Sequence, residues 1–114
     1  MEFAFTLFKP RKTRHPKKDD PLVAIRPNGR IVFNRQASEL LDNHTYCMLG
    51  YDPTNQAVGV LPLETMETNA FPIRYASKGA YIGAKKFFRH FEILPEQLIE
   101  NSPFKQGPYI GVKM

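Results

Sequence analysis

Short stretches in which apolar residues alternate with other residues recur along the chain, and this period of two is typical of β-strands. The most informative pair covers residues 21–26 and 30–33. Asn28-Gly29 lies between them, and because both residues tolerate a positive φ, the dipeptide predicts a two-stranded hairpin. The same pattern predicts further strands at residues 3–8, 46–51, 57–61, 71–76 and 109–113.

A helical period replaces the alternation in three places. Residues 36–42 form a predicted short helix, which places Ala37, Leu40 and Leu41 on its inner face. Asn34 stands in front of this helix, where its side chain can cap the first turn.

The strongest helical signal covers residues 81–91, where apolar side chains recur at intervals of three and four. The apolar face of this predicted helix consists of Ala84, Phe87, Phe88 and Phe91. Pro95 opens a further predicted helical turn over residues 95–100, because proline is favoured at the first position of a helix.

Together these elements predict a small α+β fold, with a mainly antiparallel sheet, one short helix and one longer amphipathic helix that covers a sheet face. Residues 1–8 are expected to form an N-terminal strand, residues 9–21 a basic proline-rich connector, and residues 22–114 a single α+β domain. The connector holds six cations and three prolines but no apolar side chain. Such a segment cannot bury itself, and its like charges repel.

Composition adds that the chain is globular, with 114 residues, 42% hydrophobic and 24% charged. This length suits one domain with one modest core. No apolar run approaches the roughly 20 residues that span a bilayer. Glu2 also stands where a secretory signal carries cations. We therefore expect a cytoplasmic protein without a membrane partner.

The residue types and their spacing indicate no catalytic reaction. Cys47 is the only cysteine, which excludes an internal disulfide and a cysteine-rich zinc site. The histidines (His15, His44 and His90) are scattered, and no carboxylates accompany them at ligand spacing. The chain has neither a glycine-rich phosphate loop nor a nucleophile motif nor paired carboxylates at catalytic spacing. We predict a protein that is not an enzyme and uses no cofactor or metal.

Charge is concentrated in segments. The net charge is +5, and residues 73–91 carry five cations without an acid, while residues 1–21 carry six cations against three acids. Within the first of these segments, Lys85, Lys86 and Arg89 share one face of the predicted helix and are the leading candidates for phosphate contacts. The alternative is that these cations only solvate a helix whose other face is apolar.

Further cations extend the candidate site. Arg26 and Arg30 flank the hairpin turn, and Arg74 and Lys78 precede the predicted helix. The candidates in the basic connector are Lys9, Arg11, Lys12, Arg14, Lys17 and Lys18. This arm can lie along a phosphate backbone or serve as a solvated linker. Tyr81 can stack on an exposed base or belong to the core, as can Tyr75 and Phe71.

Residues 22–63 resemble the swapped-hairpin family of transition-state regulators and antitoxins, the AbrB and MazE type. The resemblance lies in the Gly29-Arg30 step with its apolar strand, the short helix that ends Glu39-Leu40-Leu41, and two further strands joined by a tight turn. It implies an intertwined dimer that contacts DNA near Arg30. Two positions depart from the family pattern: Asn34 replaces a proline, and Ser38 and Glu39 replace basic residues.

These observations favour a non-catalytic, basic nucleic-acid-binding protein, which would be a small prokaryotic or phage regulator. We expect DNA rather than RNA as its partner, and the resemblance to the swapped-hairpin family suggests a homodimer. The alternative is an inhibitor or adaptor whose cations bind an acidic protein surface, with an exposed apolar patch beside them. A third interpretation is an assembly subunit that exchanges terminal strands with its neighbours.

Overall fold

The computed structural model describes residues 20–114 of the chain. Strands account for 45% of these residues and helices for 14%, so the fold is mainly β. Ten strands form two antiparallel five-stranded sheets, and two short helices accompany them.

The elements are short and follow one another closely. The first half of the chain contains β1 (Val23–Ile25), β2 (Arg30–Asn34), α1 (Arg35–Ser38), a 3-10 turn (Glu39–Leu41), β3 (Tyr46–Asp52) and β4 (Ala57–Leu63). The second half contains β5 (Phe71–Pro72), β6 (Arg74–Ala76), β7 (Gly79–Gly83), α2 (Lys85–His90), β8 (Ile99–Asn101), β9 (Phe104–Gln106) and β10 (Tyr109–Lys113). Sheet A has the order β6-β7-β2-β1-β8, and sheet B has the order β5-β3-β4-β10-β9.

The chain crosses between the two sheets at both edges. Ile73 alone separates β5, an edge strand of sheet B, from β6, an edge strand of sheet A. At the opposite edge, Ser102 and Pro103 separate β8 from β9 in the same way. Such corners hold two sheets face to face. The sheets therefore enclose one core between their inner faces.

That core is built from alternate residues of the strands and from the apolar side of α2. Its largest fully buried side chains include Phe33, Phe88, Ile25, Ile31, Leu41, Ile82 and Ile110. No polar or charged residue is buried within the part of the chain that the structure describes. The core is thus held by apolar burial and by the backbone ladders of both sheets.

Several predicted elements are confirmed. Strands β1 and β2 form the predicted hairpin, and Gly29 has a φ of +86° at its turn. The Asn34 side chain accepts a hydrogen bond from the Ala37 backbone N–H at 2.8 Å, as expected of a helix cap. The same side chain accepts from the Leu22 N–H at 3.1 Å and so fixes the entry to β1.

The α+β class and its longer helix were wrong. Helix α2 starts at Lys85, because Gly79–Gly83 is a strand in which Ala80 and Ile82 face the core. The period of two therefore prevails over the helical spacing before Ala84. Phe91, predicted to pack in the core, is 42% exposed beyond the end of α2.

Two further predictions fail at the corners of the fold. Residues 71–76 were predicted as one strand, but the chain turns at Ile73 and the two halves join different sheets. Residues 95–100 were predicted as helical, but Ile99 begins strand β8, which pairs with β1. The predicted strand at residues 3–8 and the connector up to residue 19 lie outside the described residues.

Candidate nucleic-acid interface

Sheet A carries a mixed basic and aromatic row on the face that points away from the core. Five residues stand in register across its strands: Arg74, Tyr81, Val32, Ala24 and Glu100. Since adjacent strands lie about 4.8 Å apart, each of these side chains neighbours the next. The cation and the ring occupy one side of the face, and the acid lies at the far edge.

Arg30 lies over the Tyr81 ring on this face. The Cζ atom of Arg30 lies 4.4 Å from the centre of the Tyr81 ring, within the range of a cation–π contact. Arg30 pairs with Gly83 in the strand ladder, so it reaches Tyr81 diagonally across β2 and β7. Arg30 is exposed and Tyr81 is half-buried, which leaves the guanidinium open to solvent.

The turn of the β1–β2 hairpin packs against the start of α2. The Gly29 carbonyl accepts a hydrogen bond from the Ala84 N–H at 2.8 Å. A methyl group on Gly29 would come within 2.5 Å of the Lys85 Cα, so the backbones touch closely here. Gly29 is accordingly buried although it lies in a turn. The contact places the arginines that flank the turn beside the basic helix.

Helix α2 is anchored by its phenyl rings and leaves its cations in solvent. Phe88 is completely buried and Phe87 is 6% exposed. Lys85, Lys86 and Arg89 are all exposed. Spacings of three and four residues put them on one side of a helix. The predicted charged face is therefore present, although the helix is only about half as long as predicted.

The turn between β6 and β7 adds a cation that the sequence did not single out. The Arg35 Nη2 atom donates to the Ser77 carbonyl at 3.3 Å, next to exposed Lys78. Because the two partners are 42 residues apart, no local pattern could have indicated this contact. The basic surface of the described residues consists of Arg26, Arg30, Arg35, Arg74, Lys78, Lys85, Lys86 and Arg89.

The candidates in the connector, from Lys9 to Lys18, lie outside the described residues, and their participation stays a prediction. The other candidate chemistry is located away from the basic surface. Cys47 is buried on the inner side of β3, and this burial raises the pKa of its thiol to about 12, which makes it a poor nucleophile. Residues 20–114 contain no group of three His, Cys, Asp or Glu side chains that could hold a metal. The His44 ring lies between the Leu41 carbonyl, 2.7 Å from Nδ1, and the Glu64 carboxylate, 4.0 Å from Nε2.

Sheet B presents a different outer face. Gly50, Gly59 and Gly111 stand in register on β3, β4 and β10. The rings of Phe104 and Tyr109 lie over Gly111 and Gly59, and they border a cavity of about 520 Å³. An aromatic ring over a strand glycine replaces the packing that the glycine lacks. This cavity therefore has a structural origin in the glycine row.

Comparisons with protein-family models, with curated proteins and with solved structures find no match to this chain. The resemblance of residues 22–63 to the swapped-hairpin family stays a prediction. No helix among residues 20–114 has the length and apolarity that crossing a bilayer requires.

Proposed function

We propose that this protein binds nucleic acid without catalysis, through the basic surface defined above. The observation that carries the proposal is the contact of Gly29 with Ala84 and Lys85. It joins two groups of cations that are far apart in sequence, the hairpin arginines and the α2 lysines. One continuous surface of a single charge attracts a phosphate chain more strongly than the same charges scattered.

The chemistry of the surface fits phosphate contacts. Lysine on a short helix presents a compact charge, whereas arginine offers a planar fork that matches a phosphate group. Residues 73–91 carry five of these cations and no acid, and the acid of the outer row, Glu100, lies at the far edge of sheet A. Most of the binding free energy is then electrostatic and falls with added salt. Such a protein suits a small regulator, with DNA as the preferred partner.

The test is a fluorescence-anisotropy titration of a labelled DNA oligonucleotide at several salt concentrations. The wild type is compared with the Lys85→Ala/Lys86→Ala variant and with Lys105→Ala/Lys113→Ala as a control. Both variants lose two charges, but the control loses them on sheet B. We expect the α2 variant to bind about tenfold more weakly and to lower the salt slope by about 1.5.

A control variant that weakens binding as much as the α2 variant would show that only net charge matters. Absence of binding at low salt would overturn the proposal altogether. Circular dichroism of each variant confirms that the sheets are intact before affinities are compared.

One observation favours the second candidate function, an adaptor for an acidic protein. Phe91 follows α2 and is 42% exposed beside Arg89 and His90, which is the apolar neighbour such a partner would use. Under this alternative, Phe91→Ala should abolish partner binding. Under the proposed function, Phe91→Ala leaves oligonucleotide affinity within about twofold of the wild type, because phosphate contacts need no phenyl ring.

A further inference from the structure

We infer that the nucleic acid is single-stranded and that one of its bases stacks on the Arg30 guanidinium above Tyr81. This inference rests on the proposed function and adds the form of the nucleic acid that the surface selects. It is carried by the Arg30–Tyr81 pair and by the flat, open surroundings of that pair on sheet A.

The pair supplies a platform of two layers. Tyr81 holds the guanidinium from below, with Cζ at 4.4 Å from the ring centre. Arg30 itself is exposed, so its outer side is available to a ligand. Bases stack on arginine planes as well as on aromatic rings. The order on the sheet would be base, guanidinium and phenol ring.

Glycine keeps the space beside the platform clear. Gly83 is the ladder partner of Arg30, and a Cβ atom built there meets nothing within 4 Å. On the other side, Val32 and Ala24 continue the row from Tyr81 with short side chains. A planar base can therefore approach the guanidinium without displacing a neighbouring side chain.

Cations are available on both sides of the platform for the flanking phosphates. Arg74 stands directly opposite Tyr81 on β6. Lys85 lies beside the turn that precedes Arg30. A strand that runs from β6 towards α2 would pass a cation, the stack and a second cation in order. Stacking platforms between basic side chains are how proteins bind single strands without reading their sequence.

A duplex fits this surface poorly. The faces of paired bases are covered by their neighbours in the stack, so Arg30 could contact only a groove edge or a phosphate. Reading the major groove requires a protruding helix or ribbon. Helix α2 has six residues and is buried along Phe87 and Phe88, and Gly29 of the hairpin turn is packed against its start. Both elements are short and held against the domain, so neither protrudes as the helix or ribbon that groove reading requires.

The experiment measures anisotropy with three labelled probes: a dT 20-mer, an rU 20-mer and a mixed-sequence 20-base-pair duplex. At equal salt, we expect the wild type to bind a single strand about tenfold more tightly than the duplex. The two single strands share bases and phosphates, and the ratio of their affinities distinguishes DNA from RNA.

Arg30→Lys is the decisive variant, because it keeps the charge and removes the plane. We expect it to lose about tenfold in single-strand affinity while the duplex affinity and the salt slope stay within error. Lys105→Arg, an equally charge-conserving exchange on β9 of sheet B and outside the basic surface, is the matched control and should bind every probe as the wild type does.

Tyrosine fluorescence gives a second, independent readout. The chain has five tyrosines and no tryptophan, so a ring close to a bound base reports directly. Binding of dT should quench the emission of the wild type. Tyr81→Phe keeps an aromatic ring beneath Arg30, and it should lose the part of the quenching that Tyr81 contributes.

The outcomes separate this inference from the proposed function. Equal affinity for single strand and duplex, with Arg30→Lys indistinguishable from the wild type, overturns the stacking inference and leaves nucleic-acid binding in place. Absence of binding to all three probes at low salt overturns both.

Discussion

The outer faces of the two sheets have the same strand geometry but carry different residue types. On sheet A the outward row holds Arg74, Tyr81 and, diagonally, Arg30. On sheet B the corresponding row holds glycines, and the rings of neighbouring strands lie over two of them. One face extends charge into solvent, whereas the other covers its own backbone.

The residues proposed to bind a ligand and the residues that stabilise the fold therefore lie on the outer faces of different sheets. Side chains that end in solvent contribute little to folding, so Arg30 and Arg74 on sheet A can change without a large loss of stability. On sheet B the ring of Phe104 occupies the space above Gly111, and any added atom must displace it. Substitutions on the two faces should therefore affect different measurements.

The largest expected effect is that of Gly111→Ala on sheet B. The new methyl group would overlap the Phe104 ring and displace it, and because this ring is 40% exposed and can move, we expect a loss of about 1–2 kcal/mol in the free energy of unfolding. Urea denaturation measures it. On sheet A, Gly83→Ala meets open space and should be neutral or slightly stabilising.

The double variant Gly111→Ala/Phe104→Ala tests the stated cause. With the ring removed, the methyl group fits, so the double variant should be less destabilised than the sum of the two single variants. Additive losses would mean that the overlap with Phe104 is not the source of the effect.

The inner faces differ too, because among the described residues only sheet B buries an ionisable side chain, Cys47, completely on its inner face. Burial raises the pKa of the Cys47 thiol to about 12, whereas the thiol of the unfolded chain ionises near pH 8.5 with an ordinary pKa. The unfolded state therefore loses its proton first, and stability falls as the pH rises from about 8.5 towards 12. At pH 10 the loss relative to pH 7 should be about 1–2 kcal/mol.

Cys47→Ala provides the comparison for this pH dependence. Its own stability is lower at pH 7, but the part of the alkaline loss that comes from the thiol should disappear. If the wild type and Cys47→Ala lose the same stability between pH 7 and pH 10, the thiol is not the responsible group.

Phe104→Ala and Arg74→Gln test the comparison, because each variant should change one property and leave the other unchanged. Removing the ring over Gly111 should lower stability by about 1 kcal/mol and leave oligonucleotide affinity unchanged. Removing the charge opposite Tyr81 should lower affinity about threefold and leave stability unchanged. Thermal melting measures the stability of both variants, and anisotropy measures their oligonucleotide affinity. A variant that changes both stability and affinity would contradict this division of roles between the two faces.

The smallest effect concerns the turn between β3 and β4 on sheet B. Hydrogen bonds from Asn55 lower the pKa of Asp52, whose carboxylate also accepts from the Thr54 N–H at 3.0 Å. This contribution is present above about pH 4 and is lost as the pH falls through the lowered pKa. Asp52→Asn should flatten the acid side of the stability profile slightly, and an unchanged profile would contradict the assignment.

Local signals in the sequence were sufficient wherever structure depends on neighbours along the chain. Asn28-Gly29 predicted its hairpin and Asn34 its helix cap, since both act within three residues. The alternation at residues 46–51 and 57–61 predicted β3 and β4 for the same reason. The exposed charge of Lys85, Lys86 and Arg89 also followed from local spacing.

Long-range contacts decided the remainder. Helical spacing from Ala84 to Phe91 concealed the strand before it, because Tyr81 fits both periods and only pairing with Val32 settles the choice. Strand β9 was not predicted at all, since its three residues are exposed and gain their order from β10. The stacking of Arg30 on Tyr81 likewise required the register of β2 with β7.

The pairing of β1 with β8 has a consequence for how the protein is made. Val23 pairs with Asn101, so the first and the eighth of the ten strands are neighbours in sheet A. Contacts this distant along the chain close late, because the entropy of a long loop must be overcome first. During synthesis sheet A cannot be completed until residue 101 has left the ribosome. Completion of sheet A by β8 is therefore expected to be a late step in the folding of this domain.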